Sequence, residues 1–228
     1  MLFYLSILLL YRKSKGKGNS VAAKTRKKKD EARDIRVQAI EAALSLAVEQ
    51  GWEDVTLRDV AARSGVSLEE LREHFEDRAD ILCALGRMID KSVLAHVSVD
   101  PDEESSVRER LFDLLMDRFE ALNAYRDGVK SVLRSFRFDP KQIVISLPHV
   151  CRSMSWMLEA AGADTAGISG AAKVAGLTGI YIKVLRVWAE DESPDLPKTM
   201  AALDRALGRA EAAVNTLKGQ GRRSGAED

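Results

Sequence analysis

The stretch that decides the fold is Val55 to Phe75, VTLRDVAARSGVSLEELREHF. It reads as two short helices joined by a tight turn at Ser64-Gly65. Thr56 followed by Asp59 is a helix start signal for a segment reaching Arg63. Ser67 followed by Glu70 is a capping box, so a further helix runs from Leu68 to about Phe75. That layout is a helix-turn-helix, which lays its second helix into the major groove of DNA. Yet the second helix carries Glu69, Glu70 and Glu73, with Glu76 just beyond. Acids repel a polyanion, so the geometry of a DNA reader and the charge of one are separate matters here.

Outward from this segment nearly everything after Asp30 has helical period. Ile35, Ala39, Ala42, Ala43 and Leu46 make one stripe, widened by Ile40, Leu44 and Ala47, and Gly51 ends that helix. Asp77 followed by Asp80 opens a helix with Ile81, Leu82, Leu85, Met88, Ile89 and Val93 inward, and an acidic loop forms around Pro101. Ser106 followed by Glu109 caps the next, with Leu111, Leu114, Leu115, Phe119 and Leu122 on one face. A short helix from Asp127 to Phe136 precedes a break at Asp139-Pro140. The helix Lys141 to Ala161 contains Pro148, which should kink or divide it. After a small-residue loop over Gly162 to Ser169, the helix Gly170 to Glu190 is apolar nearly all round, the pattern of a helix buried on several faces. A last helix begins at Pro197 and ends near Leu217, before a polar tail expected to be disordered. No strand alternation occurs, so the expected fold class is all-α with about nine helices.

Composition bounds the function. The 228 residues suffice for a sizeable core. Thirty-five basic and 35 acidic residues cancel, so net charge announces no nucleic-acid partner. Distribution says more: every charge from Arg12 to Lys29 is positive, whereas Glu53 to Arg78 holds eight acids against four bases. Cys83 and Cys151 lack metal or redox spacing and read as buried thiols in a reducing cytoplasm. His74, His96 and His149 lack ligand spacing, so neither metal nor cofactor is expected. The apolar run Leu2 to Tyr11 is too short to span a bilayer, and its basic residues follow rather than precede it, the reverse of a signal peptide. Membrane contact is therefore not expected, and translation is expected to start near Val21. Catalysis is not expected either. Glu109, Asp113, Asp117 and Glu120, interleaved with Arg110 and Arg118, read as a solvated helix face rather than an acid-base pair.

The run of Ile40, Ala43, Gly51, Thr56, Val60, Ala61, Gly65-Val66-Ser67, Leu71, His74, Phe75 and Ile81-Leu82 resembles the TetR family of bacterial helix-turn-helix transcriptional regulators, over about Asp34 to Met88. The resemblance implies a homodimer whose amino-terminal helices bind a palindromic operator in double-stranded DNA, and whose carboxy-terminal helices enclose an apolar effector site and the dimer seam. It implies a repressor released by a small apolar ligand. The expected organisation is a leader over 1–30, a TetR-type domain over 31–92 with its motif at 56–75, a ligand-binding and dimerisation domain over 93–217, and a tail over 218–228. The family has a small residue at position 69, Thr or Ser at 70, Tyr at 72 and Lys at 78; here stand Glu69, Glu70, Arg72 and Arg78.

The residues expected at DNA are Thr56, Arg58, Arg63, Ser67, Arg72, His74 and Arg78, joined by Lys27 and Lys28 of a basic arm that reaches the backbone or the minor groove. Phe119, Leu122, Met154, Trp156, Met157, Leu158, Tyr181, Leu185 and Trp188 are the expected pocket. Each alone reads as ordinary core, and together they allow an apolar cavity. Gly170, Gly176 and Gly179 allow close approach at a dimer seam or room for a flat ligand. A second resemblance covers Trp188 to Leu196 (WAEDESPDL) with Thr199, Leu203 and Asp204-Arg205, similar to TetR-like accessory proteins of ubiquinone biosynthesis. It implies the alternative: a lipid-binding accessory protein that leaves DNA alone.

Overall fold

The computed structural model describes residues 35–97, 105–136 and 140–224, with the side chains of 140–145 and 217–224 left aside. The expectations for Leu2 to Tyr11, the start near Val21, the basic arm with Lys27 and Lys28, the loop around Pro101 and residue Asp139 lie outside these residues. Nine α-helices and one 3-10 turn, and no strand, make up the described residues. They are α1 (35–50), the 3-10 turn Trp52–Asp54, α2 (Leu57–Ser64), α3 (Leu68–His74), α4 (Arg78–Leu94), α5 (Val107–Asn123), α6 (Arg126–Ser135), α7 (Pro140–Ala160), α8 (Gly167–Glu190) and α9 (Pro197–Ser224).

Local chemistry sets the helix starts. Thr56, Ser67 and Ser106 each accept a hydrogen bond from the backbone N–H three residues on, and the acid there accepts one from the cap N–H. Asp77 caps α4 through the N–H of Asp80 at 2.9 Å. Each such cap is worth about 1 kcal/mol. Gly65 closes α2 in the left-handed region at φ 72°, which a side chain would strain.

The apolar stripe of α1 is buried with Trp52, Val55, Val60, Leu71 and Phe75 as the amino-terminal part of one continuous core. A larger layer follows, in which α4 packs on α5 and α7, α7 on α8, and α8 and α5 on α9. The two meet at α6. Gly128 lies so close to α1 that a Cβ there would stand 2.6 Å from Leu44 Cβ. Ser131 Oγ donates to the Ala47 carbonyl and Ser135 Oγ to the Glu53 carboxylate.

The structure corrects several expectations. Pro148 leaves α7 undivided. The helix α8 starts at Gly167, three residues inside the expected loop. It buries one stripe only, Gly170, Leu177, Thr178, Tyr181, Val184 and Trp188, while Ala172, Ala175, Gly176 and Gly179 are exposed and Ile168 is 92% exposed. It is also long and apolar enough to cross a membrane, but it packs here between α7 and α9. The last helix runs to Ser224 rather than Leu217, so most of the expected tail is helical. Arg118 is no part of a solvated face: it is 5% exposed. Cys83 is buried, its thiol pushed up to about 11 by that burial, whereas Cys151 is only half-buried.

Candidate functional site

Two regions carry the functional expectations. In the helix-turn-helix, Glu70 is engaged by its cap. Its Oε2 accepts from Ser67 N at 3.0 Å and Ser67 Oγ at 2.8 Å, and Glu70 N donates to Ser67 Oγ at 3.2 Å. The Ser67 hydroxyl, and next the Ser67 N–H, hold the Glu70 carboxyl below its ordinary range. Asp59 is held low likewise, first by the Thr56 hydroxyl, which donates to it at 2.6 Å. Both hydroxyls expected at DNA are therefore also the caps of α2 and α3. Glu69 and Glu73 are exposed on α3.

The arginines divide. Arg63 grips Glu49 of α1 at 2.6 and 2.7 Å and also donates to Ser45. Arg78 turns inward: its Nη1 donates to the carbonyls of Trp52, Glu53 and Val55 at 3.0, 2.6 and 3.1 Å, and its guanidinium lies 5.8 Å from the Trp52 ring. It thereby ties the end of the 3-10 turn to the start of α4. Arg58 and Arg72 are exposed, Arg72 reaching only the Phe75 carbonyl at 3.4 Å, and His74 is half-buried.

The second region is an open-mouthed cavity of about 670 Å³ lined by α4, α5, α6, α7 and α8. That volume suits a small-molecule site. Of the expected set it brings together Leu122, Trp156, Tyr181 and Leu185. Phe119, Met154, Met157, Leu158 and Trp188 stand outside its lining as core side chains, each at most 4% exposed. Phe119 supports the wall by stacking on Tyr181 at 5.4 Å. Trp188 is fixed elsewhere: its Nε1 donates to Asn123 Oδ1 at 3.0 Å, and the Arg126 guanidinium covers its ring at 4.5 Å.

Sequence reasoning missed two walls, Leu82, Leu85, Ile89 and Leu94 from α4 and Val129, Val132, Leu133 and Phe136 from α6. It also missed a polar cluster. Arg118 Nη1 donates to Asp90 Oδ1, which accepts from Ser153 Oγ at 2.8 Å, joining α5, α4 and α7. A recess of about 600 Å³ shares Leu133, Phe136, Val150, Tyr181 and Leu185 and runs between α6 and α8 toward Lys130, Arg134 and Arg186.

The arrangement of helices coincides with that of known proteins. The chain superposes on a TetR transcriptional regulator from Nitrosomonas europaea with a TM-score of 0.60 and 27% identity, over 77% of this chain and 97% of that one. The fold is TetR-like. A TetR transcriptional regulator from Rhodococcus sp. RHA1 shares the fold with a TM-score of 0.53 and 19% identity, over 78% of this chain and 96% of that one. Residues 39–85 match the family model for bacterial regulatory proteins of the tetR family. Residues 143–213 match the family model COQ9. No curated protein matches the chain.

The TetR-type match spans α1 to α4 and so takes in both caps and Gly65. Within the COQ9 match, five of the motif residues are structural. Trp188, Asp191, Leu196, Thr199 and Leu203 are at most 1% exposed, and Asp191 Oδ2 accepts from both Thr199 N and Thr199 Oγ1 at 2.9 Å, capping α9. These hydrogen bonds, against the opposing effect of burial, hold the Asp191 carboxyl low.

Proposed function

We propose that the protein is a homodimeric, operator-binding transcriptional repressor whose cavity takes a small apolar effector. The observation that carries this reading is mechanical continuity. The wall helix α4 begins four residues after α3 ends, and α6, another wall, is packed without a gap on α1 at Gly128 and Leu44. An occupant that prefers one volume of the cavity thus prefers one placement of α3, which is the requirement for coupling. The open face of α8 supports dimerisation. A Cβ added at Gly176 or Gly179 would meet nothing within 4 Å, so neither glycine serves packing among the described residues. Beside Ala172 and Ala175 they leave room for a second backbone.

In this reading Arg58 and Arg72 face phosphate, Thr56 and Ser67 lie at the DNA while capping their helices, and the basic arm with Lys27 and Lys28 adds affinity. A second reading, a lipid-binding accessory protein that leaves DNA alone, draws support from the COQ9 match and from exposed Glu69 and Glu73. Binding of the full chain to random duplex DNA across a salt series separates the two. A regulator gives log affinity falling steeply with log salt, by about 0.9 per phosphate neutralised. Absence of binding at low salt sinks the regulator reading, and lipid extracted from the purified protein then favours the accessory one.

A further inference from the structure

One polar group on the cavity wall has donors to spare. Arg118 lines the cavity, is 5% exposed, and lies 5.1 Å from the Tyr181 ring. Its one hydrogen bond among the described residues runs from Nη1 to Asp90, so Nε and Nη2 donate to nothing there, Nε being fully buried. Buried donors are nearly always satisfied, and one left alone is costly. Its charge, by contrast, is already matched by Asp90, which is fixed in turn by Ser153. A ligand carboxylate placed there would add an unmatched buried charge. An uncharged acceptor would fill the need without one.

The remaining wall is mostly aliphatic and aromatic, so it asks for hydrocarbon. Arg87, Lys91 and Arg152 also border the cavity, but they are exposed and Arg87 is bridged to Asp80 at 3.1 Å. Solvated cations of that kind gain little from an ion pair.

We infer that the cavity takes an uncharged, predominantly apolar molecule carrying a carbonyl-type acceptor, and that Arg118, positioned by Asp90 and Ser153, donates to that oxygen. This rests on the reading of the cavity as a ligand site and adds the polarity and charge of the ligand to it.

The test uses the full-length protein, carbonyl-labelled decan-2-one, decanoate, and Nile red as a general apolar probe. The bound ketone should displace Nile red, and its carbonyl infrared band should lie below its position in hexane, the signature of an accepted hydrogen bond. In the double variant Asp90→Leu/Arg118→Met the charge pair is replaced by apolar volume. There the band should return to its hexane position, and ketone affinity relative to Nile red affinity should fall about tenfold, as for loss of one hydrogen bond to a charged group. If the double variant does not fold, the band position in the unaltered protein still decides. A ketone that displaces Nile red with an unshifted band overturns the inference and leaves the ligand site standing. Decanoate binding more tightly than decan-2-one does the same. Failure of the protein to bind Nile red or the ketone at all overturns both.

Discussion

The helix starts of the helix-turn-helix and the cavity wall are held by contacts of opposite range. In the first, each helix start is fixed by a partner three residues away, Thr56 with Asp59 and Ser67 with Glu70. In the second, Asp90 is met by Arg118 from 28 residues away and by Ser153 from 63. Short-range caps tolerate change elsewhere, because each is completed within its own turn. The wall is cooperative: α4, α5 and α7 meet on a single carboxylate. The molecule thus joins a helix-turn-helix whose helix starts are locally specified to a cavity whose shape depends on three helices agreeing.

The contrast is broken most forcefully at Arg118. Arg118→Met leaves the Asp90 carboxylate buried without its cation, and a loss of about 3–5 kcal/mol is expected from urea unfolding. Adding Asp90→Leu should recover most of that loss, because an apolar pair of similar volume replaces the charges. A loss below about 1 kcal/mol for the single variant would show that the pair does not organise the wall.

Next in size is the joint between the two regions. Gly128→Ala pushes a methyl to 2.6 Å from Leu44 Cβ, a distance that forces backbone or side-chain movement. Overpacking of that kind costs about 1–3 kcal/mol. In a Leu44→Ala background the same substitution should cost less, since the clashing side chain is gone, and a double-mutant cycle reads the difference. Equal costs in both backgrounds would mean that α6 and α1 are not in firm contact, and the mechanical argument for an effector would lose its footing.

What the sequence could reveal follows the same division of range. The caps at Thr56, Ser67, Asp77 and Ser106 and the turn at Gly65 were all legible, because each is a pattern within four residues. The pocket was only partly so. Arg118 was read by residue type as solvent-facing, although it falls three after Leu115 and four before Leu122, on the buried stripe of α5. Spacing outweighed charge, and a cation on an apolar stripe was the signal overlooked. The helix α8 misled in another way. An apolar pattern all round shows that a helix wants covering, but not whether its own chain or a second copy does the covering. The walls from α4 and α6 were illegible because stripes of Leu, Ile and Val look the same whether they meet protein or enclose a space. In α9 the end of the apolar pattern was taken for the end of the helix, yet polar residues such as Gln220 and Arg222 sustain a helix once it is formed.

The smallest expected effect falls on the helix-turn-helix, and it carries a pH dependence. Ser67→Ala removes the acceptor for Glu70 N and should cost about 1 kcal/mol, without changing the contents of the cavity. The Ser67 hydroxyl also holds the Glu70 carboxyl below its ordinary value of 4.5. The native carboxyl therefore binds its proton less tightly than the unfolded one. Its contribution to stability is complete above 4.5 and is lost as pH falls through the lowered native value. Carbon-detected titration of the Glu70 carboxyl should show a midpoint below that of an unstructured glutamate, and Ser67→Ala should raise it. A Glu70 midpoint unchanged by Ser67→Ala would mean that the carboxyl is not committed to its cap. Glu70 would then join Glu69 and Glu73 as free negative charge on α3, and the regulator reading would weaken with it.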